Sequence, residues 1–330
     1  MKYKAVFIAT SALAVAVMLA ACSSPAASPS PTSTAIAPAT VTVGFDNPLA
    51  YTNNMPIVIA INEGFFDKQK LTVKTVAFSG GSTATRAVVS GSADVQAGVG
   101  FDQVGSSANN LGTKIFYTVA RDSDFALYGS KAANVGKPKD LVGKTLAASA
   151  FGSYSDFLAR STGPAIGVKS DAIKREALGT NPALFGALAN GSAAGTWNPA
   201  GIASLINGTT IVGTTTSLKI TTQYSSLIAK TSWLTANPSV ARRFALAVQE
   251  AITWHNSHKA AAVALAEKEL KLPAAAAEAS YDAAKKIFTT DGKVSVPGLQ
   301  AMAKAVPTLG LGSSAPAVSG MYTNAYLPAK

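Results

Sequence analysis

Between residues 55 and 99 the chain switches repeatedly between helical and extended patterning. Residues 56–66 form an apolar run that starts on Pro56 and meets Gly64; Pro suits a first helical turn and Gly a helix exit. Leu71-Thr-Val-Lys-Thr-Val76 then alternates apolar and polar positions as a strand does. Gly80-Gly81-Ser82 makes a turn that opens a second helix, which leaves at Gly91, and Ala93-Asp-Val-Gln-Ala-Gly-Val99 alternates again. Helix, strand, glycine turn, helix, strand predicts an open parallel α/β sheet. Ligands of such sheets sit at the C-terminal ends of strands, beside helix N-termini. Gly80, Gly81 and Ser82 are therefore one predicted wall of a binding site.

The same patterning continues on both sides. Residues 41–45 read as the first strand and residues 46–54 as a polar loop, in which Tyr51, Asn53 and Asn54 either face a cleft or, for Tyr51, cover the core edge. Phe101 follows the strand that ends at Val99. Residues 114–120 are a strand, and residues 121–125 are read as a crossing into a second lobe. Asp122 and Asp124 fit exposed loop acids, or partners for a cationic ligand group. Residues 138–148 predict a helical turn and a strand, followed by a second glycine turn at Gly152-Ser153-Tyr154. Ser153 is a good N-cap, Asp156 suits the first helical turn, and the free N–H groups there can hold an anion.

Residues 171–178 read as a strand, and Asn181-Pro182 starts a helix that Gly191 ends. A short strand over 193–197 finishes on Trp197, placed either to stack on a ligand or to fill the core. Strands follow over 210–213 and 226–229, with the return crossing between them. Asn237-Pro238 caps a long helix whose Val240, Phe244, Val248 and Ile252 make one apolar stripe. Helices follow over 260–270 and 274–288, with one from Val296-Pro297 through Met302, and the tail to Lys330 shows neither pattern.

With 48% hydrophobic and 14% charged residues in 330, the chain is globular and long enough for two lobes. Its formal charge of +11 includes Lys2 and Lys4, which precede an apolar segment expected to be removed. The excess suggests nearness to anionic membrane or wall polymers, or a solvated basic surface, and no nucleic-acid partner. The single cysteine, Cys22, excludes an internal disulfide. His255 and His258 are the only histidines; their spacing without a following acid predicts polar or capping roles, with no metal site and no cofactor.

Residues 5–20 are apolar but too short and small-sided for a comfortable membrane span. They end in Leu19-Ala20-Ala21-Cys22, which resembles a bacterial lipobox at all four positions. That resemblance implies a signal peptide over residues 1–21, lipidation at Cys22, and anchoring without a transmembrane helix. Residues 22–40, rich in Ser, Pro, Ala and Thr, read as an extended tether.

An ordered set of motifs carries a wider resemblance. Ala60-Ile-Asn-Glu-Gly64-Phe-Phe66, Gly80-Gly81, Ser90-Gly91-Ser-Ala-Asp94, Asp140-Leu-Val-Gly143-Lys-Thr145, Gly152-Ser153 and Asn237-Pro238 resemble the solute-binding proteins of the sulfonate, nitrate, taurine and thiamine-precursor group of ABC importers. The resemblance implies an α/β, two-lobed periplasmic-binding-protein-like (type II) fold with two hinge crossings. Residues 41–120 would form the first part of lobe 1, residues 121–225 lobe 2, and residues 226–330 the C-terminal helices of lobe 1. It carries site roles onto Gly80, Gly81, Ser82, Gly152 and Ser153. Tyr51, Phe101, Tyr154 and Trp197 join them by their predicted places at strand ends.

The implied function is capture of a small organic solute and delivery to a membrane permease and its ATPase, from the extracytoplasmic face of the cell membrane. Two helix N-termini on one cleft suggest a sulfonate or carboxylate; a thiamine-precursor pyrimidine or similar heterocycle is the alternative. Departures exist: Ala194 stands where the family usually has an acid, and no arginine stands in the glycine turns. An enzyme of the same fold, a thiamine-pyrimidine synthase, looks to depend on an active-site histidine and a cysteine-rich motif; this chain has no cysteine after Cys22 and no histidine before His255, so no enzymatic activity is expected. A surface sensor without transport is the third reading, and a monomer is expected.

Overall fold

The computed structural model describes residues 36–179 and 181–329; the predicted signal peptide, Cys22 and the tether up to residue 35 lie outside the described residues. The chain opens with β1 (Ala39–Phe45), whose Val41 and Val43 are fully buried. α1 (Tyr51–Asn62) follows, then the short α2 (Phe65–Lys68), β2 (Leu71–Ala77), α3 (Gly81–Ser90), β3 (Val95–Val99), α4 (Gly100–Ala108) and β4 (Thr113–Thr118). The polar loop predicted up to Asn54 is shorter than expected, because α1 starts at Tyr51 and carries Pro56 inside it. Every residue from 51 to 60 is buried, and Asn54 ties the helix start to the Asn47 carbonyl at 2.8 Å. That burial outweighs the hydrogen bond Pro56 cannot donate.

The second lobe comprises β5 (Phe125–Ser130), β6 (Thr145–Ala148), α5 (Tyr154–Ala165), β7 (Lys174–Ala177), α6 (Asn181–Asn190), β8 (Gly195–Pro199) and β9 (Thr209–Thr214). The chain returns through β10 (Ser225–Lys230). It then adds α7 (Thr231–Ala236), α8 (Pro238–Ser257), α9 (Lys259–Glu269), α10 (Ala274–Ile287) and α11 (Val296–Lys304). The stripe predicted on α8 is real: Phe244, Val248 and Ile252 are fully buried, and Phe244 meets Phe66 with ring centroids 4.8 Å apart.

Each lobe holds one five-stranded sheet, ordered β2-β1-β3-β10-β4 and β7-β6-β8-β5-β9. The expectation of purely parallel sheets is corrected at one strand in each. β10 runs antiparallel to β3 and β4, and β5 antiparallel to β8 and β9. Both are strands entered directly from the other lobe, so they run against strands reached through crossover helices. β5 was absent from the sequence reading. Its residues from Ala126 to Ser130 are all buried, so the pattern is a continuous apolar run and not an alternation. The C-terminal ends of β1, β3, β6 and β8 are consequently near one another at the cleft between the lobes.

Candidate functional site

A cavity of about 130 Å³ lies between the lobes. The first lobe contributes Asp46 and Asn53 after β1, Gly81 and Ser82 at the start of α3, and Asp102 in the first turn of α4. The second contributes Ser149, Ser153, Tyr154 and Ser155 around the start of α5, with Trp197 and Asn198 from β8. Phe125 and Tyr224, from the two crossing segments, close one side.

Carboxylates dominate its electrostatics. Asp46 is only 8% exposed, and burial pushes its carboxyl up to about 7 despite the amide of Asn53, which donates to its Oδ1 at 3.3 Å. Burial, with the Asp46 charge behind it, also holds the Asp102 carboxyl well above the usual carboxylate range. Gln96 donates to Asp102 Oδ2 at 2.8 Å, the Val99 N–H reaches the same oxygen at 3.2 Å, and Thr85 in turn donates to Gln96 at 2.9 Å. Two further cavity groups are buried without partners: Asn53 Oδ1 and the Tyr154 hydroxyl. No Lys, Arg or His is among the described residues that line the cavity. The described lining thus offers no side-chain cation to whatever enters.

The two helix N-termini are present; the chain's own side chains take N–H groups at α5, and the Asp102 carboxylate lies against Gly81 at α3. A β-carbon on Gly81 would collide with the Asp102 carboxylate, so glycine there lets this acid lie over the start of α3. At α5, Gly152 adopts a left-handed φ of 77° and donates its N–H to Asp156 Oδ2 at 2.8 Å. Ser153 caps the Asp156 N–H at 3.3 Å, and the Ser155 hydroxyl takes the Ser149 N–H at 3.1 Å. Asp156 is fully buried and ion-paired with Arg175. Side chains of the protein thus already hold N–H groups that an anionic ligand would seek.

Of the predicted site residues, Gly81, Ser82, Ser153, Tyr154 and Trp197 meet at the cavity. Trp197 fills the core, 1% exposed and held by an Nε1–H bond to Thr162 at 2.9 Å, and it also lines the cavity. Gly80 is the N-cap of α3 and stands behind the wall. Gly152 and Phe101 open on a neighbouring pocket beside Leu311, and Phe101 stacks on Phe157 with centroids 5.2 Å apart. Tyr51 is a correction. As part of α1 it turns into the core, where its hydroxyl meets His255 Nε2 at 3.0 Å. His255 is accordingly fully buried in a polar core role, and burial lowers its pKa to about 4. Asp124 departs from the exposed-acid reading: Thr52 donates to its Oδ2 at 2.6 Å, its Oδ1 is buried without a partner, and burial raises its pKa. Asp122 is exposed as expected. Asp46 and Asp102 were missed as ligand-facing groups; the only signal for them was their position just after a strand.

No histidine is among the described residues that line the cavity. No cluster of metal-ligating side chains occurs among the described residues.

A family model described as NMT1/THI5 like matches residues 51–262. The chain belongs to the NMT1/THI5-like family. No curated protein sequence matches it. In fold, this NMT1/THI5-like protein is similar to the alkanesulfonate-binding protein SsuA from Xanthomonas axonopodis pv. citri bound to MOPS, with a TM-score of 0.72, 17% identity, and 87% of this chain and 98% of that chain covered. It is also similar to the periplasmic aliphatic sulphonate binding protein SsuA from Escherichia coli, with a TM-score of 0.70, 18% identity, and 88% and 99% covered. The periplasmic nitrate-binding protein NrtA from Synechocystis PCC 6803 gives a TM-score of 0.60 at 14% identity, with 72% and 68% covered. The two-lobed binding-protein fold of the NMT1/THI5-like chain is thereby established, and no helix among its described residues is long and apolar enough to cross a membrane.

Proposed function

We propose that this chain is the solute-binding component of an ABC importer, lipid-anchored through Cys22 at the extracytoplasmic face of the membrane. It captures a small organic solute between its lobes and hands it to the permease and ATPase as a monomer. It performs no chemistry on the solute. The family, the two-lobed fold and the lipobox-like Leu19-Ala20-Ala21-Cys22 support this reading.

The solute is a flat heterocycle bearing an exocyclic amine, of which an aminopyrimidine is the simplest example. One observation carries this choice: Asp46 and Asp102 face the cavity with no basic side chain among its described lining. A carboxylate accepts from an amine or amidine edge, and the rings of Tyr154 and Trp197 offer apolar faces. The second reading, a sulfonate or carboxylate, rests on what the structural relatives bind and on the start of α3 at Ser82. The raised carboxyls of Asp46 and Asp102 are compatible with it when they keep their protons, whereas an amine edge binds their ionised forms and has to draw the protons off. A thermal-shift panel of aminopyrimidines, alkylamines, alkanesulfonates and nitrate at pH 7 separates the two, because a ligand that binds only the folded state raises the melting temperature. Shifts confined to the aminopyrimidines support the reading; shifts confined to sulfonates overturn it.

A further inference from the structure

A second, larger concavity lies outside the cleft. It measures about 1070 Å³ and is walled on one side by α5 and β7 of the second lobe. The other wall is the returning segment around Lys219 together with α11. Six basic side chains line it: Arg160, Lys169, Lys174, Arg175, Lys219 and Lys304. The one acid on its rim is Asp171. Of the six cations, only Arg175 makes an ion pair among the described residues, and its partner is the buried Asp156.

Arg160 is the telling member. Its Nε is buried and has no hydrogen-bond partner. Desolvation, followed by the neighbouring Arg175 charge, pulls its guanidinium below its ordinary value. Two guanidiniums held together beside four lysines repel one another, and a surface under no other demand would intersperse acids. A multivalent oxyanion removes the repulsion. Guanidinium groups match phosphate oxygens in pairs, while lysines add unoriented charge.

We propose that this groove is a binding site for a short chain of phosphate groups, separate from the solute cleft and linked to it through Asp156. One Asp156 oxygen takes the Gly152 N–H of the cleft-side glycine turn, and the other pairs with Arg175 in the groove. An anion that draws Arg175 outward weakens the pair and frees Asp156 to shift at that turn. By reciprocity, the cleft solute and the groove anion then alter each other's affinity.

Isothermal titration of the full chain with inorganic tripolyphosphate tests the site. The double variant Lys174→Gln/Lys304→Gln changes both walls. Lys285→Gln/Lys286→Gln, on the exposed side of α10, removes the same charge elsewhere. The proposal expects saturable one-to-one binding, at least tenfold weaker in the groove variant and within twofold of the parent in the control. Equal losses in the two variants, or no saturation, overturn it. Vesicles of phosphatidylglycerol form a second arm. Vesicle binding that depends on Lys174 and Lys304, with no response to tripolyphosphate, also overturns it in favour of a lipid surface. Nuclear magnetic resonance of the Gly152 amide tests the link: a shift with the same half-saturation as the titration supports it, and a silent Gly152 at saturating anion removes it.

Discussion

The side-chain amide of Gln96 donates to Asp102 at 2.8 Å, from a position with no exposure to solvent. This bond fixes the cleft-facing acid from behind and leaves its outer lone pairs for the solute. Replacing Gln96 with Ala removes the donor and leaves a cavity. The expected loss of stability is about 2–3 kcal/mol. Urea denaturation at pH 7 reads it, and solute affinity is expected to fall in parallel because Asp102 loses its orientation.

Gly81 tests the same acid from the other side. Gly81→Ala places a methyl group where the Asp102 carboxylate lies, so at least a tenfold loss of solute affinity by calorimetry is expected. Gly186, inside α6, has open space around its Cβ position and no positive φ. Gly186→Ala is expected to stabilise the protein by roughly 0.5–1 kcal/mol and to leave binding alone.

The buried titratable groups set opposing slopes of stability with pH. Asp46 keeps its proton up to about 7, whereas in the unfolded chain it loses it near about 3.9. Between those values the folded state holds more protons, so the stabilisation is complete below about pH 4 and is lost as pH rises through 7. Asp102 and Asp124, also raised, act in the same sense. His255, lowered to about 4, acts in reverse: its contribution is present above about pH 6.5 and is lost as pH falls towards 4. Asp46 is therefore expected to lower the parent's stability progressively between about pH 4 and 7, against a gain from His255 over about pH 4 to 6.5. Asp46→Asn should shrink that loss by on the order of 1–3 kcal/mol. Parallel stability profiles for parent and variant would remove Asp46 from the account.

Tyr51 separates core from cleft. Tyr51→Phe deletes the hydroxyl that meets His255 at 3.0 Å. A loss of about 1–2 kcal/mol in stability is expected, with unchanged solute affinity. A variant of normal stability that binds weakly would return Tyr51 to the cleft.

Much of this fold was legible because it is written locally. The glycine turns before α3 and α5, the stripe on α8 and the alternation of β2 all follow from backbone preference and period. The strand β5 was not legible, since a strand covered on both faces shows no alternation, and nothing local reveals that it runs against its neighbours. The cleft was legible where a turn announces it, at Gly81, Ser82 and Ser153. Asp46, Asp102 and Asp124 were not: a loop acid reads the same whether solvent or the opposite lobe covers it. Their surroundings come from other elements, as when Thr52 of α1 reaches Asp124 from 72 residues away. The same blindness misplaced Tyr51, whose partner His255 lies on α8.

Calorimetry of one aminopyrimidine and one alkanesulfonate, each against the parent and Asp102→Asn at pH 7, tests the role of the cleft acids most directly. The substitution keeps the shape and the acceptor for Val99 while removing the acid. The account predicts that the aminopyrimidine binds the parent and weakens at least tenfold in the variant, while the sulfonate binds the variant better than the parent. Tight sulfonate binding to the parent, unmoved by Asp102→Asn, would contradict it.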